Sequence, residues 1–126
     1  MDGVLLVSHS KKITDGLKEM IEEMIGSDSQ LPLYSLGGTE DGRLGTDAMR
    51  IMQAIEECHE SDNIYIFCDI GSAIMSAETA LDMVSDSLHE KIILVDGPLV
   101  EGAFAAAIQV SVGQSKDLVM QELSNL

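Results

Sequence analysis

Two residues that can do chemistry together stand at the ends of two apolar runs. His9 lies in the triplet Ser8-His9-Ser10, which follows Val4-Leu5-Leu6-Val7; Asp69 follows Ile64-Tyr65-Ile66-Phe67-Cys68. A neutral imidazole is nucleophilic at one ring nitrogen when the other carries the proton and donates it to an acceptor. A carboxylate accepting from Nδ1–H would fix that tautomer and leave Nε2 free to attack. It would also stabilise the positive charge that develops on the ring. This chemistry suits a histidine that carries a phosphoryl group. Small residues nearby extend it. Gly71 and Ser72 open one helical pattern, Ser10 precedes another, and Gly37 and Gly38 follow a third apolar run, so backbone N–H groups are on offer to phosphate oxygens.

The elements that must position these residues are legible from periodicity. Gly3–Val7 has no polar alternation, which fits a strand buried on both faces. From Lys11 the period becomes helical, with Ile13, Leu17, Met20, Ile21, Met24 and Ile25 recurring at helical spacing and Gly26 as the stop. Leu31–Leu36 reads as a weaker strand, and Pro32 pushes it toward a strand start or a sheet edge. Gly37–Gly45 holds four glycines in nine residues and reads as a loop. Thr46 is the expected N-cap of a helix carrying Ala48, Ile51, Met52 and Ile55. A third strand runs from Asn63 to Asp69 and a helix follows with Ile74, Ala77, Leu81 and Val84. A fourth strand covers Lys91–Val95, an Ala-rich helix runs to about Val112, and Ser115 caps a short last helix.

Strands alternating with helices imply right-handed βαβ units. The expected fold class is therefore α/β, with a doubly wound, mainly parallel sheet of four to five strands between helices. The chain, residues 1–126, reads as a single domain. In such sheets sites form beyond the carboxyl ends of the strands, near a topological switch point. Every sharp polar residue falls at that edge: Ser8 to Ser10, Gly37 and Gly38, Asp69 to Ser72, and Asp96 to Pro98. If the first and third strands are neighbours, ~4.8 Å apart, His9 and Asp69 touch.

Composition excludes several classes. A formal charge of −15 opposes binding to nucleic acid or anionic membranes and suits basic protein partners. No apolar run approaches the ~18 residues of a membrane span, and no basic stretch followed by an apolar one marks a signal peptide. Cys58 and Cys68 are too few for a disulfide framework, and a cytoplasmic, reducing location is expected. No spacing suits zinc, and no metal site is expected. His59 and His89 sit in polar surroundings and read as solvated. On the residues alone a blander reading stays open, in which His9 is a structural histidine and Asp69 and Asp96 only cap helices.

Four stretches carry a resemblance: VSHS at 7–10, GGTEDGRLGTD at 37–47, DIGSAIMSAETAL at 69–81 and GPLVEGAFAA at 97–106. In that order they resemble the phosphotransferase subunit of phosphoenolpyruvate-dependent dihydroxyacetone kinases, within the mannose-type IIA family of the sugar phosphotransferase system. The resemblance implies that His9 is phosphorylated and that Asp69 orients it. It implies that Ser10, Gly38, Thr39, Gly71 and Ser72 lie in the loops around the phosphohistidine. It implies a homodimer, with no tightly bound cofactor. The implied route runs from the histidine-containing phosphocarrier protein to His9, and then to ADP, with ATP and Mg²⁺ held on the nucleotide-binding kinase subunit. Phosphocarrier-like and Enzyme I-like domains, fused in some relatives, are expected as separate proteins.

Three rival readings fit part of the same pattern. A sugar-transport IIA domain would share His9 and Asp69 but donate to a IIB protein. A receiver-type domain would be phosphorylated on Asp69, but Ser8-His9-Ser10 stands where it needs an acidic pair. A non-catalytic flavodoxin-like binding module would use His9 for stability alone.

Overall fold

Every residue of the strand β1 (Gly3–Ser8) is buried, so it must run through the middle of a sheet covered on both sides. The computed structural model describes Met1–Leu126 and bears this out. The other elements are α1 (Lys11–Ile25), β2 (Leu33–Gly37), α2 (Ala48–Glu57), β3 (Ile64–Cys68), α3 (Gly71–Met83), α4 (Asp86–His89), β4 (Ile92–Leu94), α5 (Leu99–Ser111) and α6 (Lys116–Ser124). The sheet is parallel throughout, in the order β2-β1-β3-β4. The chain after Gly97 forms α5, so the sheet has four strands.

Side chains alternate across the strands and divide the core in two. Val4, Leu6, Tyr65 and Phe67 face α1, α5 and α6, meeting Leu17, Ile21, Ala103 and Val119. Leu5, Val7, Ile64 and Ile66 face α2 and α3, meeting Ile51, Ile55, Ala73 and Ala77. With only four aromatics in the chain, small residues let the helices come close. A Cβ on Gly102 would stand 3.0 Å from the Phe67 ring, so α5 lies directly against β3.

Several expectations need correction. The N-cap of α2 is Asp47, whose carboxylate accepts from Met49 and Arg50 N–H; the Thr46 hydroxyl instead bonds Ser76. Pro32 agrees with expectation: it immediately precedes β2, its carbonyl accepts from Val4 N–H at 2.8 Å, and β2 lies at the sheet edge. Ile13, Met20 and Met24 are exposed, while Thr14 takes the buried place beside Leu17. The polar surroundings of His89 are themselves structured: His89 ends the short helix α4 between α3 and β4.

Candidate active site

The strand order makes the gap between β1 and β3 the switch point, because β1 leads to β2 on one side and the chain then returns to β3 on the other. His9 leaves the end of β1 and Asp69 the end of β3, in a register that pairs Val7 with Cys68. Asp69 N–H donates to the Val7 carbonyl at 3.2 Å, which carries the ladder one step past β3.

Asp69 is the hub. Its Oδ2 accepts from the Ser8 hydroxyl at 2.9 Å and from His9 N–H at 3.0 Å. Its Oδ1 accepts from Ile70 N–H at 2.8 Å and faces His9 Nδ1 at 3.1 Å. Burial pushes this carboxyl up, but the N–H groups of His9 and Ile70, the Ser8 hydroxyl and the His9 ring together outweigh it. The carboxyl is therefore held below its ordinary value and stays ionised. An ionised carboxylate only accepts, so Nδ1 carries the ring proton and Nε2 presents its lone pair. The Ser72 hydroxyl donates to Nε2. The His9 side chain is 28% exposed, which leaves Nε2 reachable by a large partner.

Ser72 stands in the first turn of α3, and that helix has no side-chain cap. The N–H groups of Gly71 and Ser72 are thus not taken by a capping residue, and the positive end of the helix dipole lies beside Nε2. The other expected loop residues are placed differently. The Ser10 side chain caps α1 by accepting from Ile13 N–H, while Ser10 N–H donates to the Ser8 hydroxyl. Gly38, at φ +73°, donates its N–H to the Ser8 carbonyl at 3.0 Å. Thr39 turns its hydroxyl into its own loop, onto Asp41. Asp96 is exposed and has no part in this network.

Several supporting contacts were not assigned from the sequence. The buried Ser8 hydroxyl links Asp69 to the start of α1. Gly45 N–H donates to the His9 carbonyl at 2.9 Å. Buried Thr14 accepts from Gly37 N–H at 2.9 Å. A Cβ on Gly37 would collide with the Ser10 carbonyl and the Thr14 hydroxyl, so only glycine lets β2 end against α1. A signal for Ser8 lay in the VSHS stretch; Thr14 had only its helical spacing to Leu17.

Leu44, Met49, Ile70, Ile74 and Met75 are exposed, and each lies within a few residues of a group that contacts His9 or flanks its loop. No group of three or more His, Cys, Asp or Glu side chains is gathered in a way that would hold a metal ion. No helix is long and apolar enough to cross a membrane.

A family model described as the PTS system fructose IIA component, EIIA-man, matches residues 3–120. The chain is 56% identical to the phosphoryl donor subunit DhaM of PEP-dependent dihydroxyacetone kinase 2 from Listeria innocua, covering 100% of this chain and 99% of that one. It is 36% identical to the phosphotransferase subunit DhaM of the PTS-dependent dihydroxyacetone kinase from Lactococcus lactis, covering 98% and 94%. A phosphoryl donor subunit DhaM from Providencia stuartii is 40% identical, but this chain spans only 26% of its length. Among solved structures, the crystal structure of the unknown-function protein EF1359 superposes with a TM-score of 0.89 at 46% identity, covering 98% of this chain and 93% of that one.

Proposed function

The chain belongs to the mannose-type IIA (EIIA-man) family, among its phosphoryl donor subunits of dihydroxyacetone kinase, and on that premise we propose that His9 is the phosphoryl carrier. Nε2 accepts the group from the histidine-containing phosphocarrier protein and passes it to ADP on the nucleotide-binding subunit of the kinase. The observation that carries this reading is the His9–Asp69 contact at 3.1 Å through Nδ1, which leaves Nε2 unprotonated, its lone pair met only by the Ser72 hydroxyl, on a side chain 28% exposed.

In the first step the Nε2 lone pair attacks phosphorus in line. The new N–P bond forms as the donor's N–P bond breaks, and the donor imidazole leaves with the electron pair. Positioning and electrostatics supply most of the catalysis in such transfers. Asp69 balances the charge that the ring gains. The Ser72 hydroxyl must leave Nε2 for the attack, and it can then donate to a phosphoryl oxygen. The N-terminus of α3 favours the dianion. In the second step the same bond breaks and a terminal phosphate oxygen of ADP forms the P–O bond, so ATP is restored on the partner with its own Mg²⁺.

The exposed apolar residues on the segments that build the His9 site and the acidic surface of the chain suit a donor with an apolar contact face and basic residues at its rim. The reading includes a homodimer and a cytoplasmic setting. A IIB protein is the alternative recipient, but the near full-length likeness to dihydroxyacetone kinase donors favours ADP. Phosphorylation of Asp69 itself is disfavoured, because both its oxygens are engaged by donors.

The test is intact mass after incubation with phosphoenolpyruvate, Enzyme I and the phosphocarrier protein. The wild type should gain one phosphoryl group and His9→Ala none. The group should then be lost on adding the kinase subunit with ADP. Equal addition to both proteins would refute the carrier role; retention in the presence of kinase and ADP would refute the acceptor.

A further inference from the structure

Arg50 is a half-buried cation without a carboxylate partner. Its Nη1 donates to the carbonyls of Gly37 and Gly38, each at 3.2 Å, and its Nη2 reaches the Ser35 carbonyl at 3.5 Å. No acidic side chain lies within ion-pair distance of it, although the chain holds 22 acidic residues and only seven basic ones. It also stands in the first turn of α2, where the helix dipole disfavours a cation. A surface lysine or arginine on this chain has abundant carboxylates to choose from. This one is instead committed to main-chain oxygens at the end of β2.

What those oxygens do explains the placement. Gly37 and Gly38 are the point where β2 ends and the chain turns through a positive φ. Thr14 holds Gly37 from the α1 side by accepting its N–H. Arg50 holds the next two peptides, through the Gly37 and Gly38 carbonyls, from the α2 side. The loop thus clamped is bonded at both ends to the strand that presents the histidine: Gly38 N–H donates to the Ser8 carbonyl and Gly45 N–H to the His9 carbonyl.

We propose that Arg50 is a positioning residue for phosphoryl transfer: by clamping the Gly37 and Gly38 carbonyls it fixes the loop that holds the Ser8 and His9 backbone. This rests on His9 being the carrier. Arg50 is not in the hydrogen-bond network of the imidazole, so its effect passes through the loop. A guanidinium suits the task, because its planar fork reaches several acceptors at once, whereas an ammonium is a single point of charge.

The test compares Arg50→Met and Arg50→Lys with the wild type. Initial rates of phosphoryl uptake are measured against phosphocarrier concentration, alongside amide NMR spectra and thermal unfolding. For Arg50→Met, kcat should fall about tenfold with KM for the donor within twofold, the size expected for lost orientation rather than lost docking. The Gly38 and Gly45 amide resonances should shift while the protein stays folded. Arg50→Lys should recover only part of the rate, and millimolar guanidinium added to Arg50→Met should recover more. Unchanged kcat in Arg50→Met, or a loss that merely tracks the unfolded fraction in both variants, would overturn the proposal. If Arg50→Met fails to fold, Arg50→Lys decides on the same readouts. A wild type that takes up no phosphoryl group would sink the carrier reading instead, and the Gly38 and Gly45 shifts would still decide whether the clamp exists.

Discussion

Asp69 grips His9 twice, by the ring at Nδ1 and by the backbone N–H, with one carboxylate oxygen for each. An orienting carboxylate need touch only the ring. Here the same group also fixes the peptide from which the ring projects, so the χ1 axis and the ring tautomer are set together. Asp69→Asn can keep one of these contacts in good geometry, but its amide cannot accept at both positions. It should fold, and its rate of phosphoryl acceptance should fall about a hundredfold, a size typical of losing a group that sets proton position. Rapid-quench uptake of labelled phosphoryl group measures it; a rate within threefold of wild type would remove the orienting role.

Acid stability should report the same carboxylate. Its folded pKa is depressed, so the stability it contributes is present above the ordinary aspartate value and is lost as pH falls through the lowered folded value. Urea titrations in steps from pH 6 down to pH 3 should show wild-type stability falling in that acid window. Asp69→Asn, less stable at pH 6, should show a shallower decline. Parallel pH curves for the two proteins would contradict the shift.

Two glycines should respond to alanine with opposite signs. Gly37→Ala puts a methyl into the Ser10 carbonyl and Thr14 hydroxyl, neither of which is free to move, and should cost about 3 kcal/mol and lower Tm by roughly 10 °C. Gly16 is exposed inside α1, and nothing lies within 4 Å of its would-be Cβ. Gly16→Ala should stabilise by about 0.5–1 kcal/mol through helix propensity. Thermal denaturation of the two variants tests both signs.

The thiols should be silent in the folded protein. Burial first, then the negative charges of Asp69 and Glu78, push Cys68 up to about 12, and burial raises Cys58 as well. Both are free and buried. At pH 8 a thiol reagent should modify neither until the chain is unfolded in denaturant, when both should react. Rapid labelling of native Cys68 would mean that β3 opens beside the site.

The sequence made the scaffold readable where physics left few choices. Val4–Val7 has no polar residue to turn toward water, so a central parallel strand was the natural place for it, and His9 at its end followed. Asp69 was readable for the same reason at the end of β3. The supporting clamp was not. Thr14 looks like a polar residue on an otherwise apolar helix face, and its partner Gly37 is 23 residues away. Arg50 looks like a surface cation until the carbonyls at the end of β2 are seen beneath it. The Thr46 expectation missed by one residue because Thr and Asp are both good caps and nothing local shows that Ser76 will claim the threonine. Ile13, Met20 and Met24 fit the helical period but lie on the flank of α1 that the sheet does not cover.

The measurement that bears most directly on the central claim is the nitrogen assignment of His9 before and after phosphorylation. Long-range proton–nitrogen NMR on labelled protein separates Nδ1 from Nε2. The unmodified protein should show its ring proton on Nδ1, and the phosphorylated protein should show phosphorus–nitrogen coupling at Nε2, with His59 and His89 unchanged. A phosphoryl group on Nδ1, on another histidine or on a carboxylate would contradict the account, because Asp69 occupies Nδ1 and Nε2 is the ring nitrogen left to receive the group once the Ser72 hydroxyl moves aside.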